Sequence, residues 1–349
     1  MVELKKDAFC MKRYALPALL LPAALLLLAR PQEAAQGVRA GLTLCADSLI
    51  PALFPFLALC AFFSRSGADA LLGRFLSPVS SALFRLPGAA LGAVVFGLTG
   101  GYPVGLRMTA QLLENGRITR NQASRMALFC TGAGPAFVFG LVGGGAGRIL
   151  FAALTLSALL MGFALRFFGK KSLQAPLLPA PPIPPDAALV GAVSDAITAM
   201  AGICAWVILF CALRALLPLD AFPPPLNRAF SLLWEIGGGC RSAAGIPLPL
   251  LCAAIAWGGL CVHCQLLSLV RACGQSLPRF LLARAVHAAL SAGLCAALLR
   301  MFPLVQSTLS NHITPIPAAL SRSAPAAAAL LLTGALLILD GGGVSHKNC

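Results

Sequence analysis

Charged residues are scarce in this sequence. Only 11% of its 349 residues are Asp, Glu, Lys or Arg, whereas 59% are hydrophobic and the mean hydropathy is +0.88. A soluble domain has about 25% charged residues, so too few charges are present here to cover a surface that faces water. This excludes a soluble globular protein. The sequence predicts an all-α polytopic membrane protein in a lipid bilayer, with about eight to ten spanning or half-spanning segments.

Acidic residues are fewer than basic ones, at 11 against 26, which gives a formal net charge of +15. A nucleic-acid-binding protein clusters its basic residues on one face with aromatic residues, but here they are scattered singly between apolar segments. Nucleic acid is therefore not an expected partner. Because Lys and Arg accumulate in cytoplasmic loops, the N-terminus is expected to be cytoplasmic. The basic residues assigned to cytoplasmic loops include Arg117, Lys170, Arg271, Arg279 and Arg284.

Patterns typical of enzymes and metal sites are missing. The sequence contains no HExxH, no Ser/His/Asp set and no acidic metal cluster, so we expect neither an enzyme nor a cofactor. Most of the 13 cysteines lie singly in apolar segments, where Cys behaves as a small hydrophobic residue. Cys261, His263 and Cys264 have C-x-x-C spacing, but zinc needs a second ligand pair. Packing is the favoured interpretation of these residues, and no metal site is expected.

A proline-rich stretch divides the chain. Residues 1–30 predict an N-terminal membrane helix, and residues 169–187 predict an extended linker. The segments 31–168 and 188–345 predict two repeats. Asp47 begins an apolar segment in the first repeat and Asp195 begins one in the second. Helix capping is the favoured role for both residues, and ion coupling is the alternative.

Glycine-rich breaks interrupt apolar segments in both halves. They are GLTGGYPVG at 97–105, TGAGP at 131–135, the triple glycine at 237–239 and WGG at 257–259. We pair the first break with the third and the second with the fourth. Irregular backbone at membrane depth is tolerated only where it is buried in protein or lines a cavity. The breaks therefore predict two inverted-topology repeats with re-entrant hairpins and broken helices, as in secondary transporters.

The break at 97–105 predicts a binding site. We expect the chain to turn at Gly100 and Gly101, one of them with positive φ, and to restart a helix at Tyr102 and Pro103. Thr99 is available to cap this helix. TGAGP has the same pattern, with Pro135 as a first helical residue. Helix N-termini present free N–H groups and a partial positive charge, which together favour an anion.

Several polar residues are expected near this site. Arg107, one turn after Pro103, would add a planar fork for a carboxylate. Glu235 lies in an apolar segment and is a candidate for substrate, cation or proton coupling. His263 and Gln265 either line the site or pack. The alternative for all the breaks is a purely structural role, in which glycine allows close helix packing. The predicted substrate-binding residues are Thr99, Gly100, Gly101, Tyr102, Pro103, Arg107, Thr131, Gly132, Gly134, Glu235, Gly237, Gly238, Gly258, Gly259, His263 and Gln265.

Three stretches carry a family resemblance. GLTGGYPVGLRMTAQLLENGRIT, LFCTGAGPAFVFG and WGGLCVHCQ resemble the YlbJ-type sporulation integral membrane proteins of the nucleoside-recognition (Gate) group, over about residues 40–340. The resemblance implies a mother-cell protein of the outer forespore membrane that passes dipicolinic acid, a small planar dianion. It leaves two alternatives open: a nucleoside-type solute transporter, or a non-transporting protein of spore-envelope assembly. Coupling to a cation or proton and homo-oligomer formation also stay open.

Overall fold

The described part of the computed structural model is helical throughout. It covers residues 21–142, 144–168, 184–241 and 245–302. Within these ranges five helices are long and apolar enough to cross a membrane, namely Pro31–Arg65, Gly144–Leu165, Pro185–Ala215, Leu248–Ala272 and Leu277–Met301. A bent pair, Gly73–Phe84 and Gly88–Gly100 at 77°, would form a sixth span. The prediction of an all-α polytopic membrane protein is confirmed.

The helices follow one another with short connections. The first half contains α1 (21–29), α2 (Pro31–Leu44), α3 (Ile50–Arg65), α4 (Ala68–Phe84), α5 (Gly88–Gly100), α6 (Tyr102–Glu114), α7 (Arg120–Met126), α8 (Pro135–Leu141) and α9 (Gly144–Leu165). The second half contains α10 (Pro185–Ala215), α11 (Pro224–Trp234), α12 (Ile236–Arg241), α13 (Leu248–Trp257), α14 (Gly259–Ala272) and α15 (Leu277–Met301). The end of the predicted linker is helical, since α10 begins at Pro185. Of the predicted N-terminal helix, only 21–29 is described, and a span predicted from the sequence at 324–340 lies outside the described residues.

A π-helical turn, Cys45–Leu49, joins α2 to α3 without interrupting the helix. Pro51 has no N–H to donate, so the regular hydrogen-bond ladder is broken one turn before it. In the wider turn the N–H of Ile50 donates to the carbonyl of Cys45, five residues back. A π-turn contains one residue more than an α-helical turn. It thus lets the helix continue past Pro51, where a proline would otherwise cause a sharp kink.

Asp47 and Asp195 lie inside helices. Asp47 belongs to the π-turn, and Asp195 lies well within α10. Both carboxylate oxygens of Asp195 accept hydrogen bonds from Arg65 at the end of α3, at 2.7 and 3.0 Å. The expectation that these two residues cap helix ends is therefore wrong. Asp195 instead forms a bidentate ion pair between α3 and α10.

The helix α10 runs antiparallel to α2 and α3 and joins the two halves of the chain. A Cβ built on Gly37 would lie 2.6 Å from the carbonyl oxygen of Cys211, and one on Gly41 would lie 2.8 Å from the Cα of Ile208. Further along, Arg65 reaches Asp195. Residue numbers therefore rise on one side of the contact and fall on the other. In lipid, this close approach of small residues is what holds two helices together.

Two of the helix breaks turn at a glycine with positive φ. The α5–α6 break turns at Gly101 with φ 94°, and the α13–α14 break turns at Gly258 with φ 93°. The helices that follow have 13 and 14 residues, and the glycines after them, Gly116 and Gly274, again have positive φ. The ψ angles differ, however, at −177° for Gly101 and −10° for Gly258, so the two turns have different backbone conformations. The pairing of the break at 97–105 with the one at 237–239 stays a prediction. The inverted relation of the two halves stays a prediction.

Candidate functional site

The breaks of the first half meet the end of α13. Gly134, just before α8, lies so close to the α5–α6 turn that an added Cβ would be 2.7 Å from the carbonyl oxygen of Thr99. Tyr102, the first residue of α6, donates its hydroxyl to the carbonyl of Ile255 in the last turn of α13. The hydrogen bond of Tyr102 thus connects the turn at Gly101 to the second half of the chain.

The break between α13 and α14 also contacts the one between α11 and α12. A Cβ on Gly259 would lie 3.2 Å from the carbonyl oxygen of Leu232 and 3.4 Å from the backbone nitrogen of Ile236. All four glycine-rich breaks therefore gather in one region of the bundle. The irregular backbone is buried in protein, as membrane depth requires.

The turn at 97–105 follows most of the sequence prediction. Gly101 adopts φ 94° and ψ −177°, a conformation that only glycine adopts without strain. Tyr102 begins α6 with Pro103 in its first turn, as expected, and Pro135 likewise begins α8. The prediction that Thr99 caps α6 is wrong. Its hydroxyl donates to the carbonyl of Val95 at 2.9 Å within α5, and α6 has no side-chain cap.

The outer glycines of the same motif have a packing role. A Cβ on Gly105 would lie 1.9 Å from the carbonyl oxygen of Cys130, and one on Gly97 would lie 2.7 Å from it. Because backbone atoms cannot yield as a side-chain tip can, neither position has room for a larger residue. The motif therefore uses glycine in two ways. Gly101 makes the turn, while Gly97 and Gly105 let the helices approach the chain before TGAGP.

A cavity of about 40 Å³ lies where the breaks meet, and we call it the central cavity. Of the predicted site residues, the structure brings these to its lining: Gly101, Tyr102, Pro103, Gly134, Glu235, Gly237 and Gln265. The remaining lining residues are mostly apolar and come from the π-turn, α3, α8, α10, α12 and α14. The predicted residues that do not line it are Thr99, Gly100, Arg107, Thr131, Gly132, Gly238, Gly258, Gly259 and His263.

Glu235 occupies the N-terminus of α12. Its side chain is only 5% exposed, and its two carboxylate oxygens accept the backbone N–H groups of Gly237 at 2.8 Å and Gly238 at 2.6 Å. Charge-assisted bonds of this length are strong. These two N–H groups are therefore satisfied by the protein and are not free for an anion. One wall of the central cavity carries a carboxylate.

Arg107 lies away from the central cavity. It lines a separate pocket together with Gln111 and Asp195, and its buried Nε has no hydrogen-bond partner among the described residues. The sequence placed Arg107 next to the turn at Gly101, since it follows Pro103 by one turn. The spacing correctly predicts how far along α6 Arg107 lies. It does not predict the face of the helix, and Arg107 lies on the face that packs towards α3 and α10 rather than on the face at the central cavity.

Arg284 was missed as a site residue. The sequence analysis assigned it to a cytoplasmic loop, but it lies inside α15 and is only 1% exposed. Its Nη1 donates to the carbonyl oxygen and the hydroxyl of Thr131, at 2.5 and 3.1 Å, and its Nη2 donates to the carbonyl of Ala256. Arg284 therefore joins TGAGP to the last turn of α13. Its position inside an apolar stretch was the available signal.

The sequence left open whether His263 and Gln265 line the site or pack. In the structure His263 packs and Gln265 lines the central cavity. The His263 ring packs edge-on against Trp257, with centroids 4.6 Å apart, and also against Phe280. Gln265 lines the central cavity and its amide nitrogen lies 3.3 Å from the sulfur of Cys261. In the described ranges, no group of three or more His, Cys, Asp or Glu residues is placed to hold a metal ion.

Comparison with known proteins agrees with the sequence resemblance. Residues 46–146 match the family model described as Gate: Nucleoside recognition. The chain is 30% identical over 153 residues to the sporulation integral membrane protein YlbJ of Bacillus subtilis (strain 168). The resemblance to the YlbJ-type, Gate-domain membrane proteins is confirmed. The Gate match contains the breaks at 97–105 and 131–135, both of which contribute to the central cavity.

The match to YlbJ is partial. It covers 42% of this chain and 38% of the length of the Bacillus protein. No solved structure matches the chain. Activity, substrate and partners of the whole protein are therefore matters for proposal.

Proposed function

We propose that this chain transports a small organic anion across a membrane during sporulation, and that the anion is dipicolinate. The observation that carries the proposal is the convergence of helix breaks from both halves on one cavity. Broken helices that meet inside a bundle are the usual substrate site of secondary transporters. The cavity measures about 40 Å³ in this conformation, so a bound dianion would require the surrounding helices to move apart. The sporulation name of the relative YlbJ supports the biological setting.

The cavity presents charges of both signs. The N-terminus of α6 lies at its lining and contributes partial positive charge. Glu235 contributes a carboxylate to the same lining. A bound dianion would repel Glu235 strongly at low dielectric constant. A proton or cation that neutralises Glu235 would remove the repulsion, so we propose that anion transport is coupled to one of them.

Uptake into proteoliposomes tests this function. We expect labelled dipicolinate to accumulate in vesicles containing the protein when a proton or sodium gradient is imposed, and not in protein-free vesicles. Glu235→Gln should retain binding and exchange of dipicolinate but lose the stimulation by the gradient. Glu33→Gln, which changes an exposed glutamate of α2, is the matched control and should behave as the wild type. Absence of uptake under both gradients would contradict transport and favour the role in spore-envelope assembly.

A neutral, nucleoside-type solute is the second candidate. Glu235 and Gln265 line the same cavity and would accept and donate hydrogen bonds to a polar ring without needing its charge. The description of the matching family model points the same way. Uptake of labelled uridine and adenosine in the same vesicles separates the candidates. Nucleoside uptake without dipicolinate uptake would replace our first proposal with this one.

The remaining features of the setting are proposals from the resemblance. We propose that the protein lies in the outer forespore membrane on the mother-cell side with its N-terminus in the cytoplasm. Association of several copies is compatible with this placement, and cross-linking in membranes would measure it.

Gly101→Val tests whether the turn serves binding. Valine is strained at φ 94°, and its Cβ would lie 2.9 Å from Leu53 Cδ2, so the start of α6 should be displaced. We expect the variant to insert at near-normal abundance and dipicolinate uptake to fall at least about tenfold. The control is Gly202→Val in α10, where an added Cβ meets nothing within 4 Å. Normal abundance together with normal uptake in Gly101→Val would contradict this role of the turn.

A further inference from the structure

Two more cavities extend the central cavity along the same helices. The wide pocket has a volume of about 380 Å³ and is lined by residues that include Asp47, Ser48 and Arg241. The Arg107 pocket is much smaller, at about 30 Å³, and includes Cys60, Arg107, Gln111 and Asp195. The wide pocket shares the lining residues Ala52, Phe137 and Gly237 with the central cavity, so the two are adjacent.

The three cavities follow one another turn by turn. Along α2, the π-turn and α3, the wide pocket uses residues between 44 and 52, the central cavity uses 49–53, and the Arg107 pocket uses 57–61. Along α10 the order continues in the antiparallel sense, from 203–207 in the central cavity to 195–199 in the Arg107 pocket. From residue 44 to 61 a helix rises about 26 Å. Since the hydrocarbon core is about 30 Å thick, the line of cavities extends most of the way across a membrane.

The Arg107 pocket has an excess of positive charge. Asp195 is already engaged, because both its oxygens accept from Arg65. Arg107 remains with a buried Nε that has no hydrogen-bond partner among the described residues. A buried cationic donor without a partner is costly, and a carboxylate would supply the missing acceptor. Gln111, one turn further along α6, adds an amide donor to the same pocket.

The ion pair between Arg65 and Asp195 lies at the more exposed end of this pocket. Their side chains are 37% and 39% exposed, whereas Cys60 behind them is only 4% exposed. The pair therefore lies at the edge of the Arg107 pocket, on the side nearer the surface of the molecule. At the other end of the line, the wide pocket lies next to the central cavity and shares three lining residues with it.

We propose that Arg107 is a second carboxylate-binding station on the solute's path, and that the Arg65–Asp195 ion pair is the gate that closes this end. The proposal rests on the transport function proposed above. A solute that leaves the central cavity would exchange the N-terminus of α6 for the Arg107 side chain. The gate would open when Arg65 and Asp195 separate. Because Arg65 is on α3 and Asp195 is on α10, release of the solute would require these two helices to move apart.

Native Cys60 reports on both parts of the proposal. The protein in membrane vesicles is treated with methanethiosulfonate reagents that carry either a sulfonate or a trimethylammonium group, and modification of the Cys60 peptide is followed by mass spectrometry. In Asp195→Asn we expect the sulfonate reagent to react at least about tenfold faster than in the wild type, because the gate is broken. Asp186→Asn, an exposed aspartate of the same helix, is the control and should leave the rate unchanged.

Arg107 is tested in the opened protein. In Asp195→Asn the sulfonate reagent should react faster than the trimethylammonium reagent, and adding Arg107→Gln should remove that preference. Arg271→Gln, an exposed arginine of α14, should not affect it. Arg65→Gln breaks the same pair from the other side and replaces Asp195→Asn if the latter does not elute as a folded protein from size-exclusion chromatography.

Two results would overturn the proposal. If the sulfonate reagent modifies Cys60 at the same rate in Asp195→Asn, Arg65→Gln and Asp186→Asn, the ion pair is not a gate. A charge preference that survives Arg107→Gln would mean that Arg107 is no anion station. Neither readout depends on uptake, so these results are distinguishable from a failure of dipicolinate transport, which would leave the labelling pattern intact.

Discussion

Arg284→Lys is expected to lower the apparent melting temperature of the purified protein by about 5 °C or more and to abolish uptake. Lysine keeps the positive charge but loses the planar fork. A single ammonium group cannot reach Thr131 and Ala256 together, so at least one buried carbonyl would lose its donor, at a cost of about 1–3 kcal/mol. The alignment between TGAGP and the end of α13 would be lost with it.

The control for this prediction is on the same helix. Arg279 lies in the first turn of α15 and is exposed, so Arg279→Lys should change neither melting temperature nor uptake. A second variant, Arg284→Met, removes the charge as well as the bonds and should be less stable than Arg279→Met. Wild-type stability and uptake in Arg284→Lys would show that Arg284 has no positioning role, despite its three hydrogen bonds.

Gly105→Ala is expected to remove most of the folded protein from the membrane. The new Cβ would lie 1.9 Å from the carbonyl oxygen of Cys130 and 2.8 Å from the Cα of Gly97, so backbone atoms must move on both sides. Overpacking of this kind costs about 1–3 kcal/mol or more. The measurement is the amount of monodisperse protein after extraction into mild detergent, compared with the wild type.

Helical glycines elsewhere in the chain make the comparison decisive. Gly202 in α10 and Gly293 in α15 have nothing within 4 Å of an added Cβ. Alanine there should be neutral or stabilising, since glycine costs a helix about 1 kcal/mol relative to alanine. If Gly105→Ala is as abundant as Gly202→Ala, the close approach of α6 to Cys130 is not needed for folding. Gly101→Val differs from both, because its main effect should be on uptake.

The two uses of glycine in GLTGGYPVG explain why the sequence could only partly separate turn from packing. A turn is a local event, and the run of glycines before Tyr102 and Pro103 is enough to predict it. The packing of Gly97 and Gly105 depends on Cys130, a residue beyond the next helix. The sequence analysis treated turn and packing as alternatives for the whole stretch. In the structure Gly101 makes the turn, and Gly97 and Gly105 have the packing role.

The sequence alone determined the class of this protein and the places where its helices break. Scarce charge excludes a water-facing surface, and glycine and proline disfavour helix through their own backbones, so these conclusions need no knowledge of the fold. The same applies to Tyr102 and Pro135 as helix starts, which the structure confirms.

The tertiary structure alone decided which breaks meet and which charges face them. Arg107 and Arg284 are both single arginines among apolar residues, and nothing local distinguishes them. Arg284 finds its acceptors at Thr131, 153 residues away, while Arg107 is turned towards Asp195. Glu235 has an equally unforeseen role, since its carboxylate accepts the backbone N–H groups of Gly237 and Gly238. The physical reason is that the energy of a buried charge is set by the partners that packing brings to it, and those partners are distant in the chain.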